Sequence, residues 1–142
     1  MPRVYNSIVV NAPVEVVWKR IADFHDFSWA PSVITQCENV GNKGGTAVGA
    51  RRLLNGCFLD TLIAYSELEH RISYSIDDAP SPISPAEITG YVGELHLLPI
   101  TREAKTFAEW SGRWESRDTN AVTFMNDIYA ALLKDLSAEF DK

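Results

Sequence analysis

Only two of the 142 residues are cysteine, Cys37 and Cys57, and they form no C-x-x-C pair. This speaks against a disulfide framework and suits a reducing compartment, where both read as small buried hydrophobes. Histidine is nearly as scarce. His25 falls in a turn, His70 at a strand start and His96 on the outer face of a strand. No spacing sets two of them on one face, as a metal site would require, so each reads as a surface residue. Ser28 beside His25 and Asp26 is too local for a nucleophilic triad, which is built between elements. No stretch is long and apolar enough to span a bilayer, and Met1–Tyr5 lacks the apolar run of a signal peptide. The expected location is the cytoplasm. Basic residues are outnumbered, 13 against 19 acidic, for a net charge of −6. That argues against nucleic acid or an anionic membrane surface as main partner.

What is present is apolar residue, 46% of the chain, enough to fill the core of one domain over 1–142. Val4–Val10 reads as a strand. Asn11-Ala12-Pro13 opens a helix carrying Val14, Val17, Trp18 and Ile21 at helical spacing. Asp23–Trp29 reads as a second short helix or turn, ended by Pro31. Strand patterns follow at Val33–Val40, Val48–Leu54, Phe58–Tyr65, Arg71–Ile76, Ile88–Leu98 and Thr106–Glu115. Gly41–Gly45 closes one hairpin and Asn55-Gly56 the next. The first of these is no phosphate loop, because it leads into a strand. Asp77–Pro85 holds three prolines and reads as an irregular loop, a candidate gate. Asp118, Thr119 and Asn120 are N-cap candidates for a last helix. Phe124, Met125, Ile128, Tyr129, Leu132, Leu136 and Phe140 give that helix a wide apolar stripe. The expectation is an α+β fold: a seven-stranded curved antiparallel sheet around the C-terminal helix, with two short helices after strand 1.

Gly49-Ala50-Arg51-Arg52-Leu53, Leu59-Asp60-Thr61-Leu62 and His70–Ile76 together resemble the polyketide cyclase/dehydrase-like family of the START/Bet v 1-like (SRPBCC) superfamily. Tyr91–Leu95, Glu109-Trp110-Ser111-Gly112, Ala12-Pro13 with Val17-Trp18, and Phe27–Pro31 extend the likeness in order along the chain. The resemblance implies the helix-grip fold. It also implies a cavity between sheet and last helix for apolar or amphipathic small molecules; no cofactor is expected. Two departures stand out. The family often has histidine where this chain has Ala30, and glutamate where it has Asp60.

Strand alternation sorts the side chains. The inner faces would carry Tyr91, Gly93, Leu95 and Leu97; Ala108, Trp110, Gly112 and Trp114; and Ile72, Tyr74 and Ile76. The Asn55-Gly56 turn leaves two registers open. A two-residue turn sets Arg51 opposite Asp60 on the outer face. A three-residue loop, Leu54-Asn55-Gly56, groups Arg52, Leu54, Phe58, Asp60 and Leu62 on one face, with Arg52 and Asp60 as diagonal neighbours. The second agrees with the resemblance. The expected ligand-binding set is then Trp29 at the mouth with Arg52, Leu54, Phe58, Asp60, Leu62, Tyr74, Ile76, Tyr91, Trp110, Phe124, Met125, Ile128 and Leu132.

Arg52 and Asp60 read either as a structural ion pair or as a polar anchor, with Arg52 holding Asp60 ionised and weakly basic. Three functions remain. The first is binding or carriage of a small hydrophobic molecule such as a lipid, polyketide or aromatic, without nucleic acid or membrane insertion. The second is a cyclase, aromatase or dehydratase using Asp60, Arg52, Tyr74 or Tyr91. The third is a stress or interaction protein with a vestigial cavity.

Overall fold

The fold, described over residues 1–116 and 120–141 of a computed structural model, orders its elements as one helix within a run of strands and one helix at the end. The elements are β1 (Arg3–Val10), α1 (Val14–Ile21), β2 (Cys37–Val40), β3 (Arg51–Leu54), β4 (Phe58–Ser66), β5 (Arg71–Asp78), β6 (Thr89–Ile100), β7 (Lys105–Glu115) and α2 (Asn120–Glu139). The strands form one seven-stranded sheet in the order β1-β7-β6-β5-β4-β3-β2. Every pair is antiparallel. Because β1 pairs with β7, the chain start lies beside the strand that precedes α2, and α2 packs against both. Its Ala121, Met125, Tyr129, Leu132, Leu133 and Leu136 are buried, while Phe124 and Ile128 are half-exposed at its edge. Asp118 and Thr119, two of the N-cap candidates, lie outside the described residues.

Pro13 sits at the N-cap of α1 in extended conformation, and Val17, Trp18 and Ile21 are buried on one face of that helix. The expected second helix is absent: Asp23–Trp29 is a series of turns. Its acidic side chains occupy the donors a helix would use internally, as Asp and Asn do in turns. Asp23 Oδ1 accepts from the His25 N–H at 2.9 Å, and Asp26 Oδ1 accepts from the Ser28 N–H at 2.9 Å. The segment is tied down from both sides. Phe24 N–H donates to Gly45 O at 2.9 Å, and a Cβ on Gly45 would run into the Asp23 carboxylate. Arg20, at the end of α1, reaches Glu139 of α2 at 2.6 Å and Asp26 at 3.4 Å.

Two strands are shorter than the pattern suggests. Residues 33–36 are held to the β3–β4 turn by Asn55 instead of a ladder, and the Asn55 backbone N–H donates to Gln36 O at 2.8 Å. Asn55 Oδ1 accepts from the Thr35 N–H at 2.8 Å, and its Nδ2 donates to Val33 O at 2.9 Å. Residues 41–50 form a long connection, not a tight hairpin, and β3 begins only at Arg51. The start of the expected Asp77–Pro85 loop is also corrected. β5 continues to Asp78, and the loop after it is pegged down by buried Ala79 and Ile83. Ser81 and Ser84 hydroxyls both donate to Glu87, at 2.7 Å each.

Candidate functional site

The β3–β4 turn has a three-residue loop, Asn55-Gly56-Cys57, with Asn55 (φ 52°) and Gly56 (φ 69°) both left-handed. The loop is one residue further on than the reading from sequence placed it. The face is unchanged, because a three-residue loop preserves parity. Arg52 faces Asp60 directly across the ladder instead of diagonally, and Leu54 faces Phe58. Arg52 and Asp60 are 6% and 2% exposed, the most deeply placed charges of the sheet's concave face.

Arg52 Nε donates to Asp60 Oδ2 at 3.0 Å, and Nη1 donates to Phe24 O at 3.3 Å. The guanidinium lies 3.8 Å above the Phe24 ring and 4.6 Å from that of Phe27, a cation–π cradle that offsets part of its desolvation. Asp60 fares worse. Its Oδ1 is buried without a hydrogen-bond partner. Burial pushes its carboxyl up to about 6, and the Arg52 charge only partly reverses that. The expectation that Arg52 would leave Asp60 weakly basic is therefore corrected: desolvation outweighs the ion pair.

Beside this pair opens a cavity of about 200 Å³ between the sheet and α2. The sheet contributes Arg52, Leu54, Phe58, Asp60, Tyr74, Ile76 and Trp110; α2 contributes Phe124, Met125, Ile128, Tyr129 and Leu132. All of these except Tyr129 were in the expected set. Phe27, Val33, Ile34 and Asn55 were missed as lining residues. They come from the irregular segments, where no periodicity reports orientation. Tyr129 was legible only as part of the α2 stripe.

Three expected residues stand elsewhere. Trp29 is 3% exposed and packs on Phe27 with ring centroids 4.9 Å apart, so it backs the wall and does not guard the mouth. Leu62 is fully buried in the core. Tyr91 lies behind Tyr129, stacked on Trp114 at 5.4 Å.

Next to the ion pair, with the Tyr74 ring 5.2 Å from the Arg52 guanidinium, is a hydrogen-bonded aromatic cluster. Trp110 Nε1 donates to the Tyr74 hydroxyl at 2.9 Å, which meets the Tyr129 hydroxyl at 2.7 Å, which in turn bonds that of Tyr91. Burial raises the pKa of all three phenols above the usual range, so they are neutral. Gly93 and Gly112 make the cluster possible. A Cβ on Gly93 would strike the Tyr74 ring, and one on Gly112 the Tyr91 hydroxyl.

The histidines are half-buried and partnered, not surface-solvated. His25 Nε2 bonds Arg51 O at 2.9 Å, His70 Nε2 is 3.1 Å from Glu15, and His96 Nδ1 is 3.4 Å from Glu109. No group of three or more metal-ligating side chains occurs among the described residues. Both cysteines are free. Cys37 is half-buried, and Cys57 is exposed in the β3–β4 turn, contrary to the expectation that it is buried. No helix among the described residues is long and apolar enough to cross a membrane.

Known proteins agree with this geometry. A solved protein of Nitrosospira multiformis is 67% identical, with a TM-score of 0.97 over 98% of this chain and 96% of that one. Major latex-like protein 151 of Panax ginseng is 14% identical, with a TM-score of 0.79 over 98% and 97%. Norcoclaurine synthase of Thalictrum flavum, solved with dopamine and hydroxybenzaldehyde, is 13% identical, with a TM-score of 0.72 over 96% and 84%. The last two show the fold alone, a Bet v 1-like one. No functionally curated protein matches. Residues 1–141 match the model described as polyketide cyclase/dehydrase and lipid transport, and the chain belongs to that family.

Proposed function

We propose that the protein binds a small, largely apolar molecule in the cavity between sheet and α2 without transforming it. One observation carries the reading: a partly open space of about 200 Å³ whose walls are aliphatic and aromatic except for one buried ion pair, Asn55 and the tyrosine hydroxyls. Ligand sites have this composition, with few polar groups that set orientation. The family's association with lipid transport supports it, while its association with cyclases and dehydrases supports the second reading below. Size narrows the occupant. An engineered apolar cavity of roughly 150 Å³ takes a benzene ring. About 200 Å³ therefore suits one ring with a short substituent, and the rest of a long-chain lipid or a multi-ring polyketide would extend out through the open side of the cavity unless α2 or the 33–36 segment moved. The binding set proposed is Arg52, Asp60, Tyr74, Trp110 and Tyr129 with the aliphatic lining of α2.

The Asp60 carboxyl, at about 6 and with one oxygen unpartnered, favours a second reading: a general base for a dehydratase- or cyclase-type step. Single-ring and short-chain compounds, screened by quenching of tryptophan fluorescence and then incubated and analysed by mass spectrometry, separate the two. Recovery of an unchanged binder supports carriage. Turnover that Asp60→Asn abolishes while binding survives establishes the enzyme instead.

A further inference from the structure

The tyrosine cluster has more protons than acceptors. Tyr74, Tyr129 and Tyr91 bring three hydroxyl protons, and their two oxygen–oxygen contacts use two of them. Trp110 Nε1 only donates, so it consumes a lone pair on Tyr74 and takes no proton. One hydroxyl proton is left without an acceptor among the described residues. Three arrangements distribute it. If Tyr74 donates to Tyr129 and Tyr129 to Tyr91, the spare proton is on Tyr91, which does not line the cavity and stays unsatisfied. If Tyr91 donates to Tyr129 and Tyr129 to Tyr74, it is on Tyr74. If both neighbours donate to Tyr129, it is on Tyr129. Tyr74 and Tyr129 both line the cavity. A buried donor without a partner is costly, so an acceptor arriving in the cavity selects one of the last two arrangements.

Asp60 has the opposite imbalance. It lines the same cavity, is 2% exposed, and has one carboxylate oxygen with no donor. Its charge is already balanced by Arg52 at 3.0 Å, so the site calls for a neutral donor and not for a cation. Resting on the binding reading above, we propose that the ligand is a neutral single-ring compound bearing a hydroxyl, of the phenol class. Its O–H donates to Asp60, and its oxygen accepts the spare tyrosine proton. The Phe27 and Trp110 rings, stacked 6.4 Å apart at 8°, form the aromatic part of the wall such a ring would lie against.

The test titrates the wild-type protein calorimetrically with 4-methylphenol, 4-methylanisole, toluene and 4-methylbenzoate. These keep the ring and offer donor plus acceptor, acceptor only, neither, and an anion. The expected order is 4-methylphenol tightest, 4-methylanisole about tenfold weaker, toluene weaker again, and 4-methylbenzoate no tighter than toluene. Toluene or 4-methylanisole binding as tightly as 4-methylphenol overturns the inference but leaves an apolar cavity binder. Tightest binding of 4-methylbenzoate overturns it in favour of Arg52 as the anchor. No binding of any of the four overturns both the inference and the reading beneath it. Tyr74→Phe/Tyr129→Phe removes the hydroxyls of both tyrosines that line the cavity, whereas either single change leaves one. In the folded double variant the preference for 4-methylanisole over toluene is expected to vanish, and its persistence overturns the tyrosine donor. Should the double variant not fold, the wild-type series decides.

Discussion

Asp60 takes up a proton when the chain folds. Its carboxyl rises from 3.8 to about 6 because burial disfavours the charge more than Arg52 restores it. Between those values the folded state binds more protons than the unfolded one, so this group's contribution to stability falls as pH rises. Ordinary paired carboxylates behave the other way. Integrated from pH 5 to pH 7, the effect is a loss of about 1 kcal/mol from Asp60 alone. Asp60→Asn is expected to remove that component, so its urea-unfolding stability declines less than the wild type's between pH 5 and pH 7. A decline equal to the wild type's contradicts the raised value. The variant also strands Arg52 in its cradle, so its stability at pH 7 falls by about 3 kcal/mol, as when one partner of a buried pair is removed. The inward position of Asp60 was legible only once a register was chosen: a two-residue turn would have set it outward, and the grouping of Leu54, Phe58 and Leu62 with the charge pair, together with the resemblance, favoured the three-residue loop. Its basicity was not legible, because desolvation depends on how completely Phe24, Phe27 and Tyr74 close over the pair.

Elements were read well where periodicity was strong and poorly where side chains replace the ladder. The inner faces of β6 and β7 alternate as the sequence suggests, with Tyr91, Gly93, Leu95 and Leu97 all buried, whereas on β5 Ser73 is buried along with Ile72 and Tyr74. The stretch from Asp23 to Gln36 defeats periodicity, because Asp23, Asp26 and Asn55 side chains satisfy its backbone donors. A helix pattern and an Asx-turn pattern look alike over seven residues. The glycines of β6 and β7 carry information that alternation alone does not show. Gly93 faces Tyr74 across the β5–β6 ladder, and the missing Cβ is the space the phenol ring occupies. The neighbour is the rigid ring itself, and it is bonded to Trp110 and Tyr129, so it cannot retreat cheaply. Gly93→Ala is expected to cost about 1–3 kcal/mol, the usual penalty of overpacking, despite the better strand propensity of alanine. A urea midpoint shift towards lower concentration with unchanged slope is the expected signature. An unchanged or raised midpoint means that the ring moves freely.

At the scale of the whole molecule, α2 and the sheet leave between them a space they do not fill. Trp110 and Phe124 line the cavity without closing it, and Trp114 packs away from it on Tyr91. Unfilled apolar volume forgoes dispersion contacts, so the ligand-free fold is less stable than a filled one. A ligand present at a hundred times its dissociation constant adds about 2.7 kcal/mol by mass action. For a chain of this size that corresponds to a rise in Tm of about 8 °C. Ile128 is the residue at which filling is best tested. It lines the cavity from α2 and is only half-buried, so a larger side chain can enter the space without displacing the core beneath. Ile128→Trp is expected to leave the ligand-free Tm unchanged or higher, because new contacts replace the void. The same variant should lose the Tm rise given by 4-methylphenol. Retention of the full rise with the far-ultraviolet circular dichroism unaltered would mean that the compound binds somewhere other than between the sheet and α2. A fall in the ligand-free Tm would show instead that the lining is already at native packing density, with too little free space for a ring.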